Sequence, residues 1–64
     1  MNNLKRILKE NSMTITELAN LIGKGAPVVW RWAENRFDPS LKNAFLIEER
    51  TDGRIKAKDI LSVE

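Results

Sequence analysis

Apolar residues recur along this chain at helical spacing, and turn-forming residues cut the pattern into short pieces. In the first piece Leu4, Ile7 and Leu8 fall at i, i+3 and i+4, while Lys5, Arg6 and Lys9 lie off that stripe. Asn3 stands where a cap belongs, and Asn11 and Ser12 break the pattern. Thr14 followed by Glu17 reads as a capping box, in which the hydroxyl accepts from the Glu17 amide and the carboxylate reaches back to the Thr14 amide. The helix opened there puts Ile15, Leu18, Ala19 and Ile22 on one face and stops at Gly23, which tolerates a left-handed cap. Lys24 and Gly25 form a tight connection, and either can cap the next helix. Pro27 fits only the first turn of a helix, where its missing N–H is not needed.

The spacing predicts a third helix over about Ala26 to Glu34, with Val28, Val29 and Trp32 inward and Asn35 at a left-handed terminus. Pro39 and Ser40 reset the chain. Ser40 caps a fourth helix through Leu41, Ala44, Phe45 and Ile47, which ends at Asp52-Gly53. Residues 54–64 hold either a short fifth helix over Lys56 to Leu61, with Ile55, Ile60 and Leu61 apolar, or a β-strand. The expected fold is all-α, with four to five short helices in a single domain over residues 1–64.

Composition narrows the function. Of 64 residues 42% are apolar, and five of those are Ala, so the large apolar side chains suffice for one core. With 31% of residues charged and no apolar run longer than four, neither a transmembrane helix nor a secretory signal is expected, and a soluble cytoplasmic protein is. The absence of Cys and His removes disulfides, thiol nucleophiles, the usual neutral-pH base and most transition-metal ligand sets. We therefore expect no enzyme, no metal and no cofactor. The net charge is only +2, yet residues 1–36 carry six basic against three acidic side chains, and residues 37–64 carry five against six. A basic half on a small domain is compatible with nucleic-acid binding and equally with ordinary surface charge.

Two short helices joined by a Gly-containing turn at about residues 14–35 form a helix-turn-helix pattern. The run Met-Thr-Ile-Thr-Glu-Leu-Ala-Asn-Leu-Ile-Gly at 13–23, with Val-Val-Trp-Arg-Trp-Ala-Glu-Asn at 28–35, resembles the Xre and Cro class of phage and bacterial repressors. The run Ala-Phe-Leu-Ile-Glu-Glu-Arg-Thr-Asp-Gly-Arg-Ile at 44–55 is similar to the end of small Cro-type and YdaS-like proteins. That resemblance implies a lambda-repressor-like DNA-binding domain and a sequence-specific transcriptional regulator, a Cro-like repressor that occupies a palindromic operator in double-stranded DNA. It also implies that the third helix enters the major groove with Gly25, Ala26, Pro27, Trp30 and Arg31 facing out.

On that alignment Arg31 is the candidate base reader, since bidentate Arg to guanine O6 and N7 is the commonest specific pairing; a phosphate contact and a solvated surface are the alternatives. Trp30 and Trp32 lie about 200° apart on a helix, so one must face outward, and Val29 assigns Trp32 inward. Trp30 then faces the groove or packs over Pro27 or a partner, and Ala26 and Pro27 contact thymine methyls or merely permit close approach. Thr14, Thr16, Lys24, Gly25, Arg36 and Lys42 are the candidate backbone contacts. Two positions depart from the family pattern: Ile15 stands where Gln is frequent, and Lys24 where an aliphatic residue is usual.

Ala44, Phe45, Leu46 and Ile47 cover about 300° of a helix, more than one core face buries. Phe45 and Leu46, with Phe37, Ile60, Leu61 and Val63, are therefore candidates for a homodimer interface, weak before DNA is bound. The alternative is a C-terminal segment that folds back over them. A different function class also fits the weakly polar Gly25, Ala26 and Pro27: a protein-interaction module, antitoxin- or antirepressor-like, on the same scaffold.

Overall fold

The structure, a computed structural model, describes residues 2–61. Its five helices are α1 (Leu4–Glu10), α2 (Ile15–Ile22), α3 (Ala26–Ala33), α4 (Leu41–Arg50) and α5 (Ala57–Ile60), and there is no strand among the described residues. The C-terminal strand alternative is thereby set aside in favour of the short helix. One apolar core gathers Leu4, Ile7, Leu8, Leu18, Ile22, Val29, Trp32, Ile47, Ile55 and Ile60, with Ala19, Ala44 and Ala57 between them. Every helix contributes to it, because none has enough apolar surface to stand alone.

The local signals for α2 and α3 appear as expected. Thr14 Oγ1 accepts from Glu17 N at 3.0 Å, and Glu17 Oε1 accepts from Thr14 N at 2.9 Å. Gly23 closes α2 at φ 71°, where a Cβ would strain the backbone though nothing stands in its way. Gly25, rather than Lys24, is the extended N-cap of α3, and Pro27 sits in its first turn. Asn35 adopts φ 59° just beyond α3, as its place in the sequence predicts.

Asn3 has the N-cap position of α1 but makes no capping bond there; its side-chain amide instead donates to Asp59 O at 3.0 Å. The cap is Asn2, whose Oδ1 accepts from Leu4 N at 2.9 Å. Asn2 is 7% exposed and does more than cap. Its Nδ2 donates to Trp32 O at 3.0 Å and to Asp38 Oδ1 at 2.9 Å, and its own amide donates to Asn35 Oδ1 at 2.8 Å. One short side chain thus ties α1 to the end of α3, satisfying polar groups that burial would otherwise penalise.

The C-terminal third holds the remaining helix ends. Ser40 Oγ accepts from Asn43 N at 3.1 Å at the start of α4. Beyond α4, Thr51 is buried; its Oγ1 donates to Ile47 O at 2.8 Å and accepts from Ile55 N at 3.2 Å. Asp52 and Gly53 are both left-handed, at φ 53° and 80°, which turns the chain back toward α5. Glu48 Oε1 accepts from Ala57 N at 2.7 Å and so caps α5 from the neighbouring helix. Arg50 Nη1 donates to Leu21 O at 3.2 Å and Arg54 Nη2 to Asn11 O at 3.1 Å, covering carbonyls at the ends of α2 and α1.

Candidate nucleic-acid interface

Residues Gly23 to Gly25 connect two eight-residue helices, and the connection fixes what α3 presents. Val29, Trp32 and Ala33 face the core. Helical spacing then forces Pro27, Trp30 and Arg31 onto the opposite stripe, where all three are exposed, Trp30 by 44%. The sequence assignment of Trp32 inward and Trp30 outward holds. Ala26 differs: it is half-buried and packs against the core, so its methyl belongs as much to the scaffold as to the outward face. Lys24 and Gly25 are exposed at the entrance to α3.

Charge on this face is positive. Arg31 and Lys24 are exposed, while Glu34 near the end of α3 pairs with Lys5 at 3.1 Å, so its carboxylate is offset locally. Arg36 lies in the turn after α3 with its Cζ 5.6 Å from the centroid of the Trp30 ring. Its amide donates to Arg31 O at 2.9 Å, which folds residue 36 back along the helix end. Arg36 and Trp30, read separately in the sequence, form one cation–π pair in space.

The start of α2 is less open than the residue types imply. Thr14 and Thr16 are exposed, but the Thr14 hydroxyl is engaged by Glu17 N and the Thr14 amide by the Glu17 carboxylate. Hydrogen bonding from the Thr14 amide, and then from the Thr14 side chain, holds the Glu17 carboxyl below its ordinary value, so an anionic group sits at the start of α2. Thr16, together with the first-turn amides of Ile15 and Thr16, is the better backbone donor at this end. Arg54, which sequence reasoning missed here, lines the same shallow depression with Met13, Glu17, Asn20 and Leu21 and adds positive charge beside Glu17. No periodicity marks Arg54, because the turn at Asp52-Gly53 brings it there. Lys42 is exposed on the first turn of α4.

The proposed partner surface divides. Phe37 and Phe45 are exposed, by 65% and 56%. Leu46 and Leu61 are half-buried and pack against the core. Ile60 is a correction: it is fully buried within this chain, at 0% exposure, and no partner can reach it. Residues 57–60 fold back onto α1, where Asn3 N donates to Ile60 O at 3.1 Å, but they leave Phe37 and Phe45 exposed and so do not cover the whole apolar surface as the alternative requires. Val63 lies outside the described residues. Leu41, 60% exposed one turn before Phe45, was not singled out in the sequence; with Phe45 and Leu61 it lines a groove between α4 and α5.

No protein-family model, curated protein or solved structure matches this chain. No described helix is long and apolar enough to cross a membrane.

Proposed function

We propose that this chain is a sequence-specific regulator of transcription, a Cro-like repressor that lays α3 in the major groove of double-stranded DNA. The observation that carries this reading is the outward stripe of Pro27, Trp30 and Arg31 on a helix held from behind by Val29 and Trp32. A major groove about 12 Å wide admits one helix and its side chains. Arg31 donates to guanine O6 and N7, Pro27 and Trp30 cover thymine methyls and sugars, and Lys24, Arg36 and Thr16 contact phosphates. A homodimer through exposed Phe37, Leu41 and Phe45 places two such helices on a palindrome, about one DNA turn apart. The protein works in the cytoplasm without cofactor or catalysis.

The test is selection from a random duplex library, followed by binding over a salt series. An enriched palindrome is expected, and Arg31→Ala costs about 1–3 kcal/mol at one base pair while leaving other positions unchanged. An Arg31→Ala variant with unaltered affinity and preference refutes the role of Arg31. Failure to enrich any sequence refutes the function.

A second reading rests on the apolar character of Pro27 and Trp30 and on the Glu17 carboxylate at the start of α2, both unhelpful to a phosphate-rich ligand. In that reading the same face docks a protein. Duplex binding that stays micromolar and sequence-insensitive, together with a co-purifying partner lost in Trp30→Ala, decides for it.

A further inference from the structure

Arg36 has the chemistry of a phosphate contact, but its geometry gives it another task. We propose that Arg36 is a positioning residue for Trp30, and that the two form one composite element that shapes sequence preference beside Arg31. This rests on the DNA-binding reading above.

The Trp30 side chain projects from an exposed helix stripe, where an indole on two rotatable bonds would ordinarily sample several rotamers. Arg36 lies over its ring at 5.6 Å. The attraction between a guanidinium and the indole face selects the orientations that keep the two together. The contact leaves the in-plane N–H donors of the guanidinium for a phosphate oxygen beside the groove. With one face of the indole covered, Trp30 offers its edge and its other face to base methyls and sugars.

The backbone that carries Arg36 is fixed on both sides. Arg36 N donates to Arg31 O at 2.9 Å, and Asn35 is held left-handed at φ 59°. Asn2 N donates to Asn35 Oδ1 at 2.8 Å, and Asn2 Nδ2 donates to Asp38 Oδ1 at 2.9 Å. The arginine is therefore mounted on a clamped turn, and its contact with the ring is inexpensive in entropy. Lysine keeps the charge at this place and part of the attraction to the ring, but not the planar guanidinium.

The test uses the intact chain and the duplex enriched by wild type from the random library. Arg36→Lys is expected to lose about twofold in affinity, the lower end for an exposed cation–π contact, because an ammonium keeps part of the attraction. Its salt dependence is unchanged, because the phosphate charge is kept. It relaxes preference at the same base pairs that Trp30→Leu relaxes, and adds nothing in a Trp30→Leu background. Wild-type affinity and preference in Arg36→Lys, or equal losses in both backgrounds, overturn the positioning role and leave the DNA reading intact. A wild-type chain that binds no duplex overturns both, and the two failures are told apart by wild-type binding alone.

Discussion

Replacing Asn2 by Ala removes a side chain whose three hydrogen bonds cap α1, tie it to Trp32 near the end of α3 and reach Asp38 in the loop beyond. The bond from Leu4 N is a helix cap, worth about 1 kcal/mol. The bond to Trp32 O adds a further ~1 kcal/mol for a buried neutral pair, moderated because that carbonyl also accepts from Asn35 N at 3.1 Å. Leaving out the bond to exposed Asp38, the sum is about 2 kcal/mol. In a domain of this size each kcal/mol moves the melting midpoint by about 4–8 °C, so Asn2→Ala should melt roughly 8–16 °C below wild type. Circular dichroism at 222 nm during heating measures it, and urea titration should show a lower midpoint with the same slope. The Asp38 bond supplies an internal check. Donation from Asn2 holds the Asp38 carboxyl below its ordinary value, so that contribution is present above the usual carboxylate range and is lost as pH falls through the folded value. The gap between wild type and Asn2→Ala should therefore narrow in acid. Asn2→Asp keeps the cap acceptor, loses both donors and faces Asp38, and should be no more stable than Asn2→Ala near neutral pH. A midpoint for Asn2→Ala within about 3 °C of wild type would show that this network is not what fixes α1 to α3.

Three further outcomes test other parts of the fold. Glu17 has a depressed pKa because the Thr14 amide and hydroxyl hydrogen-bond it, so its charge stabilises the fold above the usual carboxylate range; the advantage of wild type over Glu17→Gln should fade as pH falls through that range into acid, and a constant gap in melting temperature contradicts this. Gly23→Ala should cost about 1–2 kcal/mol through its left-handed backbone alone, since no atom stands within 4 Å of the new methyl, and Gly23→Asn should recover part of that in the same melts. Ile60→Ala should cost about 2–5 kcal/mol regardless of protein concentration, whereas Phe45→Glu should leave monomer stability within about 0.5 kcal/mol and weaken self-association in sedimentation; a concentration-dependent Ile60→Ala effect would return Ile60 to an interface.

What the sequence made legible was what is decided within a few residues. The Thr14–Glu17 box, the Gly23 stop, the Pro27 start and the left-handed Asn35 are each fixed by a neighbour three or four positions away, or by the residue's own backbone preference. Asn2 and Asn3 are both competent caps, and their own surroundings do not separate them. The choice is made by Trp32 and Asp38, at sequence separations of 30 and 36. The same holds for residues 54–61, where helix wins because the Glu48 carboxylate receives Ala57 N while Ile55 and Ile60 enter the core. On the candidate face, helical period separated Trp30 from Trp32, but it gave no hint that Arg36 turns back over the indole or that Arg54 comes to lie beside Glu17.

The contacts of Asn3 with Asp59 and Ile60 join positions near the two ends of the described chain, at a separation of 56 residues for the side-chain bond. This seam is a light contact, since α2 and α3 pack far more extensively on each other than α1 and α5 do. Closing a long loop costs entropy that two hydrogen bonds do not recover unless the intervening helices already hold the ends near each other. The seam is thus a conditional contact, formed only when the shared core holds both ends of the chain in place. A helix pair cut from this chain would lose the core partners that the other helices supply, so the stability of α3 is a property of the shared core rather than of the helix.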